Sequence, residues 1–363
     1  MRTGPKAEYS RGAGRGILAG MTSPDSPLIR VGLLGAGTVG ATLLGLIGSR
    51  PGLGLRPTRA LVRDLARPRT VARPQELLTT DPGEVLDSCD LLVEVMGGTG
   101  LAVELMLRAL GRGLPVVTAN KAALAERWDA FEPYVRGGRV HFEAAVMAGT
   151  PIVGSLSRAL RGSQPLELHA ILNGTCNYIL GQLEFGIDYA EALAEAQRLG
   201  FTEADPSLDV EGYDAAHKLT LLARLAFTPE VAWDEVSAAT QGIAHLTPAI
   251  VREAMEDGGR VRLVGSVFPQ DGRWQLAVRP VYLPADHPLI SASGGRNGLL
   301  FRGDPVGEVM ISGRGAGGGP TASALLADVI AAARGLPGPS PLLISAPVPA
   351  DHRPEDLGEL RRG

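Results

Sequence analysis

The sequence predicts an α/β protein built on a doubly wound parallel sheet, with a second domain of α+β type behind it. Three observations predict it. A short apolar run leads into a Gly-x-Gly-x-x-Gly turn that opens a helix. Strand and helix patterns then alternate as far as Thr150. Beyond that residue, hairpin signals and a block of helices take over.

Leu28–Leu34 reads as the first strand, Gly35-Ala36-Gly37-Thr38-Val39-Gly40 as the turn, and the chain to about Ser49 as a helix. Strand, glycine turn and helix in that order are the dinucleotide-binding fingerprint of a Rossmann-type sheet. The first glycine permits the turn, the second lets backbone approach a pyrophosphate, and the third lets helix pack on sheet. Arg59–Val62, Leu91–Val95, Pro115–Thr118 and Val140–Glu143 follow as strands, with helices at Leu101–Leu110 and Ala122–Val135. Ligands of such sheets sit beyond the carboxyl ends of the strands, where Gly97-Gly98-Thr99 and Asn120-Lys121 fall. In the second domain Pro151–Leu160 reads as helical and Leu166–Leu172 as a strand. Helices are expected near Thr175–Phe185, Asp188–Leu199 and Glu211–Leu225. Two hairpins are expected, Arg260–Val267 with Gln275–Tyr282 around Asp271-Gly272, and Leu299–Phe301 with Glu308–Ile311 around Gly303-Asp304-Pro305. The Gly-rich turn Gly313–Gly319 and the helix Thr321–Ala333 should return the chain to the first domain. The expected divisions are thus 28–150 for dinucleotide binding, 151–312 for the second domain, 313–335 for the return and 336–363 for a loose Pro-rich tail. Residues 1–27 lack periodicity or a signal-like apolar stretch and are read as a disordered or non-native extension. Met21 stands shortly before the first strand, so residues 1–20 are expected not to be native.

Hydrophobic content of 45% and charged content of 20% over 363 residues describe a soluble globular chain long enough for two domains. A net charge of −4, without a basic stripe interleaved with aromatics, argues against nucleic-acid binding. No apolar run approaches membrane-spanning length, and Cys89 and Cys176 have no metal or disulfide spacing. A reducing cytoplasm is the expected compartment.

Only three of the 35 basic residues are lysines: Lys6, Lys121 and Lys218. Arginine keeps its proton under essentially all conditions, whereas lysine can be tuned to give one up. A chain that otherwise uses arginine therefore directs attention to its two internal lysines. Lys121 falls on the rim of the expected cofactor cleft. Lys218 lies four residues after Asp214 on an expected helix, hence on one face with it. A surface ion pair worth a few tenths of a kcal/mol is the plain reading. The apolar residues after Lys218 (Leu219, Leu221, Leu222, Leu225) point instead to a buried edge. Glu203, Asp205, Asp209, Glu211 and Asp214 form a stretch of five carboxylates with no basic residue. That pocket suits a substrate bearing an ammonium group; a solvated acidic loop or a divalent-cation site stays open, although the spacing is not that of an EF-hand.

With these residues in view, the chain resembles the homoserine dehydrogenases, from about Val31 to Gly335. The resemblance rests on GAGTVG at Gly35–Gly40, Gly97-Gly98-Thr99, Thr118-Ala119-Asn120-Lys121 and HFEAAVMAGTPI at His141–Ile152. It extends to Asn173-Gly174-Thr175-Cys176-Asn177-Tyr178-Ile179-Leu180, GFTEADPSLDVEGYDAAHKL at Gly200–Leu219 and the glycines at Gly313–Gly319. The segments Asn173–Leu180 and Gly200–Lys218 are specific to that family; the glycine turn is not.

The resemblance implies interconversion of L-aspartate 4-semialdehyde and L-homoserine with NADPH or NADH, on the route to threonine, methionine and isoleucine. It implies Lys218 as general acid/base, with Asp214 as a catalytic-site carboxylate that binds the substrate ammonium or orients Lys218. Glu203, Lys121, Asn173, Gly174 and Thr175 are implied at the substrate, Glu203 as ligand of its amino group. Gly35, Ala36, Gly37, Thr38, Val39, Gly40, Arg63, Gly98, Thr99, Lys121, Gly200 and Gly315 are implied at the cofactor. Main-chain oxygens of Glu143, Val146, Ala148 and Thr150 would hold a monovalent cation, Na⁺ or K⁺; a plain interdomain hinge is the competing reading. Arg63-Asp64 follows the second strand: Arg63 could meet a 2′-phosphate, while an acid there favours NAD. Arg63 comes first, so NADP is expected, with NAD left open. The second domain would be catalytic and dimerising, giving a homodimer. Many members carry a further C-terminal regulatory domain of the ACT type. The remainder after Gly335 is too short for one, so a short form without threonine feedback is expected. Another two-domain NAD(P) oxidoreductase of an amino-acid-derived aldehyde is the nearest alternative, and a non-catalytic dinucleotide sensor the one from a different class.

Overall fold

The computed structural model describes residues 28–202, 204–355, 357 and 358. The expectations for residues 1–27 and for Glu203 lie outside them. The first sheet has six parallel strands: β1 (Ile29–Leu34), β2 (Leu55–Leu61), β3 (Leu78–Thr79), β4 (Leu91–Glu94), β5 (Val116–Thr118) and β6 (Val140–His141). Their order is β3-β2-β1-β4-β5-β6, the doubly wound order of a Rossmann-type sheet. Strands in it are apolar at successive positions because both faces are covered. Val31, Leu33, Leu91, Val93 and Val117 pack with Leu43, Ile47, Leu325 and Val329 on one side. Leu34, Leu92 and Val116 pack with Leu105, Met106 and Phe131 on the other. The helix Gly318–Ala333 lies against Thr38–Gly48 and therefore belongs to this layer.

The second sheet is antiparallel and five-stranded: β7 (Gln164–Ile171), β8 (Arg260–Gln270), β9 (Arg273–Leu283), β10 (Arg296–Asp304) and β11 (Gly307–Arg314), in the order β11-β10-β7-β8-β9. The molecule is thus a mixed α/β structure with a parallel and an antiparallel sheet. Asp271 and Gly272, at φ 50 and 72, turn the β8–β9 hairpin in the left-handed conformation that an Asp-Gly pair favours.

Three expectations change. The single helix read at Ala122–Val135 is two, Lys121–Glu126 and Trp128–Arg136, separated at Arg127. The break has a cause: Arg224 donates to the carbonyls of Leu124 (3.1 Å) and Ala125 (3.0 Å), ending the first helix, and its guanidinium lies 4.6 Å over Trp128. Pro151–Leu160 contains a π-helical turn, Ser155–Ala159. The Pro-rich segment after Gly335 is not loose where it is described. Arg158 and Arg161 donate to the carbonyls of Pro337 and Pro341, the indole of Trp274 donates to Ala346, and Tyr282 N–H donates to Gly358. Extended proline-rich chain makes no ladder of its own, so arginines and a tryptophan of the body satisfy its carbonyls. Hydrophobic periodicity does not register such anchoring.

Candidate active site

At the carboxyl edge of the parallel sheet the glycine turn has the geometry its sequence asks for. Gly35 sits at φ 105, and a Cβ on Gly40 would lie within 2.3 Å of the Gly35 carbonyl. A side chain at Gly37 would meet nothing within 4 Å, so this stretch of backbone at the start of the helix Thr38–Gly48 is open to a ligand. Gly318 approaches the same edge from the returning segment, against Thr38, while Gly315 lies against Asn297 of β10. Arg63 is exposed just beyond β2. Asp64 is exposed as well, its Oδ1 accepting from Ala66 N–H at 2.8 Å.

The neighbouring loop depends on a residue that the sequence reading passed over. Glu94, fully buried at the end of β4, accepts from the N–H groups of Met96 (2.9 Å) and Gly97 (2.8 Å) and from the Thr118 hydroxyl (2.6 Å). Burial raises its carboxyl above the ordinary range, and these donors oppose the rise. The Asn120 side chain donates to Gly98 O and accepts from Ala123 N–H, tying the Gly97-Gly98-Thr99 loop to the helix that begins at Lys121. A lone acid inside the apolar run Leu91–Val95 was the available signal. Glu94→Ala strands three donors at about 1–3 kcal/mol each. The expected result is a dinucleotide dissociation constant raised on the order of tenfold or more, read by fluorescence titration with NADPH; unchanged affinity with a lowered melting temperature would reduce Glu94 to a fold element.

Both internal lysines converge on one carboxylate. Lys218 Nζ donates to Asp214 Oδ2 at 2.6 Å and to the Leu172 carbonyl at 2.7 Å, and Lys121 Nζ lies 3.1 Å from Asp214 Oδ1. Burial alone would raise the Asp214 carboxyl. The two ammonium groups, with hydrogen bonds from Lys218 and Asn173, reverse that and hold it far below the usual carboxylate range. The same attraction raises Lys121 against its own desolvation. Asn173 caps the helix Gly174–Glu184 through Cys176 N–H and donates to both Asp214 (2.8 Å) and Asp209 (2.7 Å). Its side chain is therefore spent on placing the carboxylates. Asp209, read before only as part of the acidic stretch, also accepts from Thr202 at 2.6 Å. Asn297 shares the Leu172 carbonyl with Lys218, and its Oδ1 is buried without a hydrogen-bond partner among the described residues. No sequence signal marked Asn297. A Cβ on Gly315 would strike its amide, which explains a glycine there.

Among the sequence-derived site residues, the structure joins Lys121, Asp214, Lys218 and Asn173 in one network. Gly174 and Thr175 lie at the same helix start, where Thr175 donates to Phe201 O at 3.0 Å. Gly200 ends the preceding turn at φ 75. Glu143, Val146, Ala148 and Thr150 form a separate loop, bound to the helix Gly318–Ala333 by Glu143 N–H donating to Asp328 at 2.8 Å. A seam of helices carries the lysine network: besides Lys121–Asp214, His217 meets Glu126 at 2.8 Å and stacks 4.2 Å from Trp233. Burial draws the His217 imidazole below its ordinary value, and Glu126 opposes this.

A Rossmann-type sheet with an open glycine turn, set against a buried lysine and aspartate from a second domain, defines a two-domain nicotinamide-dependent oxidoreductase. Family models described as "Homoserine dehydrogenase" and "Homoserine dehydrogenase, NAD binding domain" match residues 151–330 and 35–133. The chain belongs to the homoserine dehydrogenase family. It is similar to the homoserine dehydrogenase of Synechocystis sp., with 41% identity over 83% of this chain and 72% of that one. Among solved structures it resembles a homoserine dehydrogenase from Thiobacillus denitrificans (TM-score 0.79, 38% identity, 84% of this chain and 73% of that one). It also resembles a hyperthermophilic archaeal homoserine dehydrogenase in complex with NADPH (TM-score 0.72, 27% identity, 86% and 99%).

Proposed function

We propose that the chain interconverts L-aspartate 4-semialdehyde and L-homoserine on the route to threonine, methionine and isoleucine, with Lys218 as the proton carrier and NADP as the preferred dinucleotide. The observation that carries this reading is the sharing of Asp214 between the two internal lysines. An ammonium has three N–H donors. Two of those on Lys218 go to Asp214 and Leu172, which leaves one for the aldehyde oxygen. As negative charge develops there, Lys218 stabilises it and then transfers the proton; in the oxidative direction it takes the proton back. Asp214 holds Lys218 in place, and Lys121 adds a second positive charge at the edge nearer the glycine turn. Asp209 and the exposed acidic stretch suit the substrate ammonium, the role the resemblance gives to Glu203. The nicotinamide of the bound dinucleotide would supply or accept the hydride, and the open backbone at Gly37 and the Gly98–Thr99 loop fit the dinucleotide's phosphates. Homoserine-dependent reduction of NADP⁺ by the purified chain tests the proposal; no turnover at saturating homoserine with either dinucleotide would refute it.

Arg63 is exposed at the end of β2, open to a 2′-phosphate, and Asp64 Oδ1 is engaged by Ala66 N–H, which supports NADP. Removing a charge-assisted contact costs about 1.5–3 kcal/mol. Arg63→Ala should therefore raise KM for NADPH on the order of tenfold or more and leave KM for NADH unchanged. An equal rise for both, or a wild-type preference for NADH, contradicts the assignment.

The loop from Glu143 to Thr150 fits a monovalent cation, Na⁺ or K⁺, held by the main-chain oxygens of Glu143, Val146, Ala148 and Thr150. Met147 and Ala148 are turned to φ 52 and 23, and the Thr150 hydroxyl is buried without a partner among the described residues. Burial raises the Glu143 carboxyl and lifts Asp328 to about 7, with the charge of Arg158 opposing both. The cation would fix the loop between the sheets. A homodimer through the second domain is supported by the edge strand β11, whose Val309, Met310 and Ile311 are half-exposed. Two buried free cysteines, Cys89 and Cys176, suit a reducing cytoplasm, and no described helix is long and apolar enough to cross a membrane.

A further inference from the structure

A second cluster of titratable side chains lies where the C-terminal segment meets the antiparallel sheet. Glu167 and His169 are on β7, Arg302 faces Glu167 from β10, and His352 and Glu355 arrive from the chain end. Glu167 and His169 are 1% and 2% exposed. Arg302 Nη1 donates to Glu167 Oε1 (2.6 Å) and Glu355 Oε2 (2.8 Å), and Glu355 N–H donates to Glu167 Oε2 (2.9 Å). Ligand atoms of Glu167, His169 and Glu355 all lie within 4.8 Å of one another.

Three imidazole nitrogens in this cluster are out of line, two of them on one oxygen. His169 Nε2 is 3.3 Å and His352 Nε2 3.6 Å from the same oxygen, Glu167 Oε2. Both nitrogens are nevertheless buried without a hydrogen-bond partner among the described residues. Near in distance but misdirected for hydrogen bonding is how neighbouring ligands of one ion stand to each other. Bonds of about 2.0–2.2 Å in a tetrahedral zinc site place ligand atoms about 3.3–3.6 Å apart. The ring chemistry agrees. His169 Nδ1 is 2.9 Å from the Ser266 hydroxyl, and donation there leaves Nε2 with a lone pair, the usual outer support of a metal-bound imidazole. His287 Nε2 is a third such nitrogen, 3.4 Å from Glu355 Oε2 and without a hydrogen-bond partner among the described residues. Its Nδ1, however, accepts from Leu289 N–H, so Nε2 carries the ring proton and has no lone pair for an ion. Charge favours a cation as well. Among the described residues, the ion pairs here set three carboxylates, Glu167, Glu308 and Glu355, against the one guanidinium of Arg302.

We propose that Glu167, His169, His352 and Glu355 form a site for a divalent transition ion of the zinc type, which staples the C-terminal segment onto β7. Two imidazoles and two carboxylates suit zinc and its first-row neighbours better than calcium or magnesium. Binding to the folded chain alone would stabilise it by mass action.

The test uses the full chain, purified without a polyhistidine tag and stripped with a chelator, then titrated with Zn²⁺. One tightly held equivalent by elemental analysis, a melting temperature that rises with Zn²⁺, and a tetrahedral Co²⁺ absorption band are expected. Mg²⁺ should do none of this. His169→Gln and His352→Ala should each weaken Zn²⁺ on the order of tenfold or more and remove the Co²⁺ band. His352 is on the covering segment and partly exposed, so its variant is the one expected to fold without difficulty. A folded wild type with no tight equivalent overturns the proposal, as does Zn²⁺ affinity unaltered in His352→Ala.

Discussion

Lys218→Ala is expected to lower homoserine-dependent turnover by about 10²–10⁴-fold, the usual worth of a positioned general acid. Dinucleotide affinity should persist, because Lys218 touches Asp214 and Leu172 and not the glycine turn. The variant should also fold: Asp214 keeps Lys121 and Asn173 as partners, so no charge is orphaned. Lys218→Arg separates the two jobs of the ammonium. Arginine retains the charge and donors but gives up a proton poorly, so activity should stay close to that of the alanine variant. Turnover equal to wild type in Lys218→Ala, measured as NADP⁺ reduction, would remove Lys218 from the chemistry.

Asp214→Ala should produce the largest loss of stability. It leaves two ammonium groups facing each other without their carboxylate, and removing one partner from a buried pair costs about 3–5 kcal/mol. Asp214→Asn keeps the shape and isolates the charge. The carboxyl is depressed in the folded chain, so its contribution is fully present above its ordinary unfolded value of about 4 and is lost as the pH falls toward the folded value. Lys121 is raised, so its contribution is present below about 10.4 and fades as the pH climbs through its folded value. The gap in melting temperature between wild type and Asp214→Asn should therefore be level through neutral pH and narrow on acidification below about pH 4. A gap that widens in acid would contradict the assignment of the charge.

Much of the fold was legible because its signals are local. The apolar run, the glycine turn and the helix at Ile29–Gly48 follow directly in the chain, and Asp214 with Lys218 obeys helical spacing. Lys121 stood out by rarity, but its partner did not: that contact comes from tertiary packing, to which neither period nor propensity points. Glu94 was hidden in plain sight, a charged residue within a strand read as buried, whose meaning required the three donors around it. Asn297 offers no pattern at all, since an asparagine in a strand resembles any polar residue until the Leu172 carbonyl is seen beside it. The C-terminal segment was misread for the same reason, because its anchors are single hydrogen bonds to distant arginines and a tryptophan.

The seam between the helices Lys121–Glu126 and Tyr213–Ala226 bears on how the enzyme comes into being. Its contacts join residues 91 and 100 positions apart, His217 to Glu126 and Arg224 to Leu124. During synthesis the nucleotide turn is complete long before the helix with Asp214 and Lys218 leaves the ribosome. Pairings this distant in sequence come at the end of assembly, after the loop between them has paid its closure entropy. A half-made chain therefore carries the turn for a redox cofactor but no proton donor, and its competence as a reductase switches on only when the last docking step is done.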